Sequence, residues 1–170
     1  RSSFATAATA ILLQVTAAQN SSVPVPPGSV MTHVIQVGDQ DGALKFYPDT
    51  LEGVNAGDLV QFHFWPQAHS VAQSSFDAPC QPLESADTTG FWSGMMPVTA
   101  ESTTMPVFTI PINSTDPIWF YCATGKHCQN GMVGVINPPA DKQLSSYVSA
   151  AAVVPKTGIP SGIGGGSNST

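Results

Sequence analysis

The sequence predicts an all-β sandwich of about seven to eight short strands, and three observations carry that reading. Leu59–Trp65 alternates strictly, with Val60, Phe62 and Phe64 on one side and Gln61, His63 and Trp65 on the other. Short apolar runs recur along the chain, each bounded by turn residues. Fifteen glycines and fifteen prolines, with abundant Ser, Thr and Val, suit strands and turns better than helices.

The elements follow in order. Residues 1–19 read as a residual secretory signal. Arg1 gives the positive start, Phe4–Val15 is an apolar run too short to span a membrane, and Thr16-Ala17-Ala18 before Gln19 is a small-residue cleavage context. The domain is expected over residues 27–139. Met31–Val37 is its first strand and Leu44–Tyr47 a short second. Asp49–Val54 leads into the turn Asn55-Ala56-Gly57-Asp58. Leu59–Trp65 is stopped by Pro66, and His69–Val71 restarts a short extended piece. Residues 74–97, containing Pro79, Cys80, Pro82 and Gly90, form a long excursion. Thr104–Ile110 and Ile118–Cys122 are strands, the latter with Ile118, Phe120 and Cys122 on one face. Met132–Ile136 is the last, ended by Asn137-Pro138-Pro139. In residues 140–170 a short helix is expected within Asp141–Val154, then a flexible Gly/Ser-rich linker from Pro155. No apolar tail follows that linker, so a lipid anchor would need a signal beyond residue 170.

The composition narrows function. With 42% hydrophobic residues the 170-residue chain can build a real core. Only 9% of residues are charged, against a usual ~25%. Five Lys+Arg against eleven Asp+Glu give a net charge of -6 and no basic cluster, which argues against nucleic acid as a partner. No Gly-x-Ser-x-Gly elbow, phosphate loop, His-Glu-x-x-His motif or paired acids occur, so no enzyme activity is expected. Asn20, Asn113 and Asn168 each begin an N-glycosylation acceptor pattern, consistent with an extracellular route.

The chemistry concentrates in Cys122-Ala-Thr-Gly-Lys-His127-Cys128-Gln-Asn-Gly-Met132. A thiolate, an imidazole and a thioether are spaced evenly along one loop between two strand-like runs. Such a set, with a second imidazole, is the ligand set of a type 1 copper centre. His69, just past another strand end, supplies that imidazole. The expected ligands of one copper ion are therefore His69, Cys122, His127 and Met132. Thiolate and imidazole also suit zinc, but thioether is a poor zinc ligand. With four protein ligands, no position is left open for substrate.

Three cysteines leave one unpaired. Cys122–Cys128 would consume the metal-binding thiolate, and Cys80–Cys122 would leave Cys128 free without ligand geometry. Cys80–Cys128 is favoured because it spares Cys122, and a loop of that length contributes about 4 kcal/mol. His33 and His63 lie in strand-like runs with no ligand partner near in sequence and read as ordinary histidines. Met95-Met96, beside Phe91, Trp92 and Pro97, reads as loop packing, and Trp65, Trp92 and Trp119 as core and rim aromatics.

At these residues the chain resembles the cupredoxins. The loop Cys122–Met132 is similar to that of the phytocyanins, Cys-x4-His-Cys-x3-Met or Gln, where the half-cystine after the histidine pairs with one shortly after the first ligand histidine. Cys128 and Cys80 stand in those places. HSVAQSSFDAPCQPL and PIWFYCATGKHCQNGMVGVINPP resemble secreted fungal cupredoxin-like proteins, which often carry a Ser/Gly-rich tail and a surface anchor. The resemblance covers about residues 30–139. It implies a Greek-key β-sandwich and one type 1 copper, hence an extracellular one-electron carrier, expected as a monomer acting with a redox partner. A copper-capturing or copper-buffering surface protein is the alternative. A multicopper oxidase would need several His-x-His pairs, and the chain has none.

Overall fold

The computed structural model describes residues 28–84 and 89–170. The expected signal 1–19, Asn20 and residue 27 lie outside the described residues. The strands are β1 (Thr32–Val37), β2 (Phe46–Tyr47), β3 (Thr50–Leu51), β4 (Leu59–Phe64), β5 (Gln67–His69), β6 (Ala72–Ser74), β7 (Met96–Val98), β8 (Val107–Pro111), β9 (Ile118–Tyr121), β10 (Val133–Ile136) and β11 (Ser167–Ser169). The single helix among the described residues is α1 (Leu144–Ala152).

One sheet has the order β11-β8-β4-β1-β2 and the other β3-β10-β9-β6, with β5 and β7 as a separate pair. β1 runs parallel to β4, with Ile35 opposite Phe62, while β9 is antiparallel to both β10 and β6. The alternation of Leu59–Trp65 holds. Val60, Phe62 and Phe64 are buried between the sheets, and Gln61 and His63 are only half-buried. The strand count exceeds the expected seven to eight because the 74–97 excursion and the tail come back to pair. Met96–Val98 lies along Gln67–His69, and Ser167–Ser169 along Val107–Thr109.

Two apolar clusters organise the interior. The first lies between the sheets and includes Ile35, Phe46, Phe62, Phe108, Phe120, Cys122 and Met132. Phe46, Phe62 and Phe120 meet edge to face at 4.9, 5.3 and 6.4 Å. Each such pair adds about 0.5–1.5 kcal/mol beyond its burial. The second cluster covers the outer face of β6, β9 and β10 and contains Trp119, Tyr121, Val133, Val135, Tyr147 and the cystine. Both faces of β9 are therefore apolar and covered.

Helix α1 is what covers the outer face. Leu144, Tyr147, Val148 and Ala151 fall at i, i+3, i+4 and i+7, and all pack inward. The Tyr147 hydroxyl meets that of Ser74, and its ring lies 4.9 Å from that of Trp119. Pro155 follows and prevents the helix continuing.

The tail from Pro155, expected as a flexible linker, is instead laid back over the domain. Thr157 is buried, only 7% exposed. Trp92 bridges to Gly164, and Ser167–Ser169 becomes the edge strand of the first sheet. Composition failed here because Gly, Ser and Pro serve docked extended segments as well as free ones. Backbone hydrogen bonds to distant residues make the difference. The folded unit accordingly runs past residue 139 to the end of the described chain. Asn113 is exposed after β8, and Asn168 sits in β11 with its amide donating to the Ser93 carbonyl at 3.2 Å. Among the described residues no helix is long and apolar enough to cross a membrane.

Candidate metal centre

Strand β9 ends at Tyr121, so Cys122 is the first residue of the loop, and β10 begins just after Met132. The loop closes on itself through its backbone. The Cys122 N–H donates to the Met132 carbonyl at 3.0 Å, and the Met132 N–H to the His127 carbonyl at 3.0 Å. Gly125 and Gly131 take φ values of +50° and +91°, which let the chain turn tightly on both sides of His127. Cys128 is bonded to Cys80, with Cα atoms 5.7 Å apart, so the loop is also fixed covalently beside His127. Cys122 is the free, buried cysteine.

His69 ends β5, and its backbone pairs with Met96 of β7. Its imidazole comes together with Cys122 and His127, the donor atoms all lying within 4.8 Å of one another. Cys122 Sγ is 3.5 Å from His127 Nδ1, and the two imidazole centroids are 5.3 Å apart. His69 and Cys122 are fully buried, and His127 is half-buried. Met132 is fully buried in the same core cluster as Cys122.

The electrostatics favour metal over protons. Burial, then the neighbouring His127, push His69 down to about 4, and burial lowers His127 as well. Both imidazoles are thus neutral near pH 7, with lone pairs available to a cation. Neither ring nitrogen of His69 has a hydrogen-bond partner although both are buried. Such orphaned atoms cost about 1–3 kcal/mol, and a bound cation at one of them removes part of that cost. One thiolate and two imidazoles suit copper or zinc, and a thioether from Met132, buried in the same core cluster as Cys122, would favour copper.

Two supporting residues escaped the sequence reading. The Ser70 N–H points at Cys122 Sγ from 3.4 Å, a donor placed for a negatively charged sulfur, and the Ser70 hydroxyl accepts from the Ala123 N–H at 2.9 Å. Gly38, at φ +76°, backs the other side of His69. A Cβ there would lie 2.6 Å from His69 Nε2. No local pattern announces either contact, since both join residues distant in sequence. The remaining histidines stand apart from this cluster, with His33 Nε2 3.0 Å from Asp58 and His63 Nε2 3.1 Å from Gln61. Met96 packs against the core, and Met95 is exposed at the rim with its sulfur 3.4 Å from the Thr124 hydroxyl.

Two curated proteins of Arthroderma benhamiae are similar to this chain. One, named "Extracellular serine-rich protein", is 39% identical over 141 residues, 82% of this chain and 53% of its own length. The other, named "Probable GPI-anchored cupredoxin-1", is 34% identical over 130 residues, 76% of this chain and 64% of its own length. The chain belongs to the cupredoxin family. This cupredoxin spans about half to two thirds of the length of those relatives. No family model matches it. Among solved structures, auracyanin from Roseiflexus castenholzii superposes with a TM-score of 0.45 at 19% identity, covering 64% of this chain and 97% of that one. Plastocyanin from Dryopteris crassirhizoma gives 0.37 at 20%, covering 61% and 96%. The fold of this cupredoxin stands on its own strand pairing, to which superpositions at those scores add nothing.

Proposed function

We propose that this cupredoxin is an extracellular type 1 copper protein that carries one electron at a time. The observation that carries the reading is the buried His69, with both ring nitrogens unpartnered, facing Cys122 and His127. Cys122, His69 and His127 would hold the copper strongly, and the Met132 thioether would hold it weakly. Copper, when bound, supplies a one-electron couple. The chain's own residues do the rest. The two imidazoles stay neutral because they are buried, and the Ser70 N–H holds the sulfur. The ligand loop is held between β9 and β10, so little rearrangement accompanies a change of charge. His127 is the ligand with an edge toward solvent, which makes it the port for electrons from a redox partner.

The cystine Cys80–Cys128, the exposed acceptor Asn113 and the word "extracellular" in one relative's name support an oxidising, extracellular setting. The other relative's name supports surface attachment through a lipid anchor. The test is an absorption and EPR spectrum of the secreted protein with one equivalent of Cu(II), followed by reductive and oxidative titration. An intense blue band with narrow hyperfine splitting, bleached and restored reversibly, is the expected result. Copper bound without reversible cycling would favour capture or buffering. A pale, tetragonal Cu(II) spectrum would remove Cys122 from the ligand set.

A further inference from the structure

The tail segment Val154–Gly158 touches the ligand loop at both flanks of His127. Thr157 Oγ1 lies 2.7 Å from the Gly125 carbonyl and 2.8 Å from Gln129 Oε1, so a single hydroxyl proton faces two oxygens, one on each side of His127. The Gln129 amide reaches back to the Val154 carbonyl at 3.4 Å. On its other side the segment grips the partner half of the cystine. The Gly158 N–H donates to the Cys80 carbonyl at 2.8 Å, and the Gln81 amide to the Lys156 carbonyl at 2.9 Å. The Gly158 carbonyl accepts from the Tyr121 hydroxyl at 2.9 Å, and Tyr121 directly precedes Cys122. Thr157 is buried while its neighbours Pro155, Lys156 and Ile159 are exposed, so its hydroxyl is the segment's side-chain hydrogen-bonding contact with the loop.

We infer that Val154–Gly158 is a strap that sets the position of His127, with Thr157 as a positioning residue for the metal centre. The inference rests on the copper reading for its spectroscopic consequence but not for its mechanical one. The hydroxyl ties the left-handed turn at Gly125 to the turn after Cys128, and so limits how far the imidazole between them can swing. A buried hydroxyl has this effect only while its partners are present, because leaving the Gly125 carbonyl unpaired favours opening of the turn.

The test uses Thr157→Val, which keeps the shape and removes the hydroxyl, and Thr157→Ser, which restores it. In the metal-free protein, amide exchange at His127 and Asn130, both bonded within the loop, should quicken by up to about tenfold in Thr157→Val. Exchange at Trp119 and Val135, in the paired strands, should stay unchanged. In the copper-loaded protein, the EPR hyperfine splitting and reduction potential should shift, and copper should leave about tenfold faster. Thr157→Ser should return all of these to the parent values. Unchanged loop exchange, or equal quickening in loop and strands, overturns the strap. If the parent protein forms no blue centre, the copper reading fails alone and the exchange result still decides the strap. Should Thr157→Val not fold, Gln129→Met removes the loop-side contact and is read in the same way.

Discussion

Replacing Gly38 by alanine tests the cradle around His69 with the smallest available change. Gly38 is buried, its N–H donates to the Lys45 carbonyl at 2.8 Å, and its carbonyl accepts from the Gln36 amide at 2.9 Å. The backbone is thus held on both sides and cannot easily retreat. An added Cβ would stand 2.6 Å from His69 Nε2 and 3.0 Å from Cδ2. Ordinary contacts between such atoms are about 3.5 Å or longer, so the imidazole must move by about 1 Å, toward Cys122 and His127. Two effects add. The left-handed backbone at φ +76° costs an alanine about 1–2 kcal/mol, a fall of about 3–8 °C in Tm. The displaced ring should weaken copper binding by a further 10–100-fold, roughly the scale seen when a residue supporting a ligand is altered. Gly57→Ala is the control, since φ there is +97° and a Cβ would meet nothing within 4 Å. Both variants should melt lower, but only Gly38→Ala should change the blue band in a Cu(II) titration. Equal copper affinity and identical spectra in the two variants would refute the argument that Gly38 seats a ligand.

Three further outcomes are expected. Met132→Gln should keep copper but lower the reduction potential, since an oxygen donor favours Cu(II); voltammetry showing an unchanged or higher potential would take Met132 out of the ligand set. Replacing Cys80 and Cys128 together by serine opens a loop with a sequence separation of 48 and should cost about 4 kcal/mol, measured by denaturant unfolding. An unchanged midpoint would mean the cystine holds nothing that the strands do not already hold. The metal-free protein should lose stability as pH falls from about 6.5 to about 4. Folded His69 resists the proton that the unfolded chain accepts over that window, so the unfolded state binds more protons there. Below it the curve should pick up the carboxylates Asp39 and Asp58, which hydrogen bonds hold low. A melting temperature flat between pH 6.5 and 4 would contradict the burial of His69.

The cluster of His69, Cys122 and His127 was legible because its chemistry is rare and most of its spacing local. Cys122, His127 and Met132 share one loop, and His69 comes shortly after the alternating run Leu59–Trp65, at the end of β5. The sparing of Cys122 by Cys80–Cys128 followed from the same reasoning. The docked tail was not legible, because nothing in PKTGIPSGIGGGSNST distinguishes a strap from a linker. A signal did exist elsewhere. Ile118–Tyr121 and Val133–Ile136 lack polar residues on either face, which strands covered on one side rarely do. That pattern called for a second cover, and α1 with the strap provides it. Gly38 and Ser70 were out of reach for a different reason: their roles exist only once distant segments meet.

The three residues of β11 also govern how the molecule behaves in a crowd. Without them β8, carrying Phe108 and Ile110, would end the first sheet as a bare edge offering unpaired N–H and C=O groups to any passing strand. Ser167, Asn168 and Ser169 occupy that edge with a short stretch of small polar side chains, all exposed, that gives a second molecule little to pair with. A sugar on Asn168 would thicken the guard. Removing residues 167–169 would therefore bare β8 and incline the molecule to self-association, while leaving His69, Cys122 and His127 where they are.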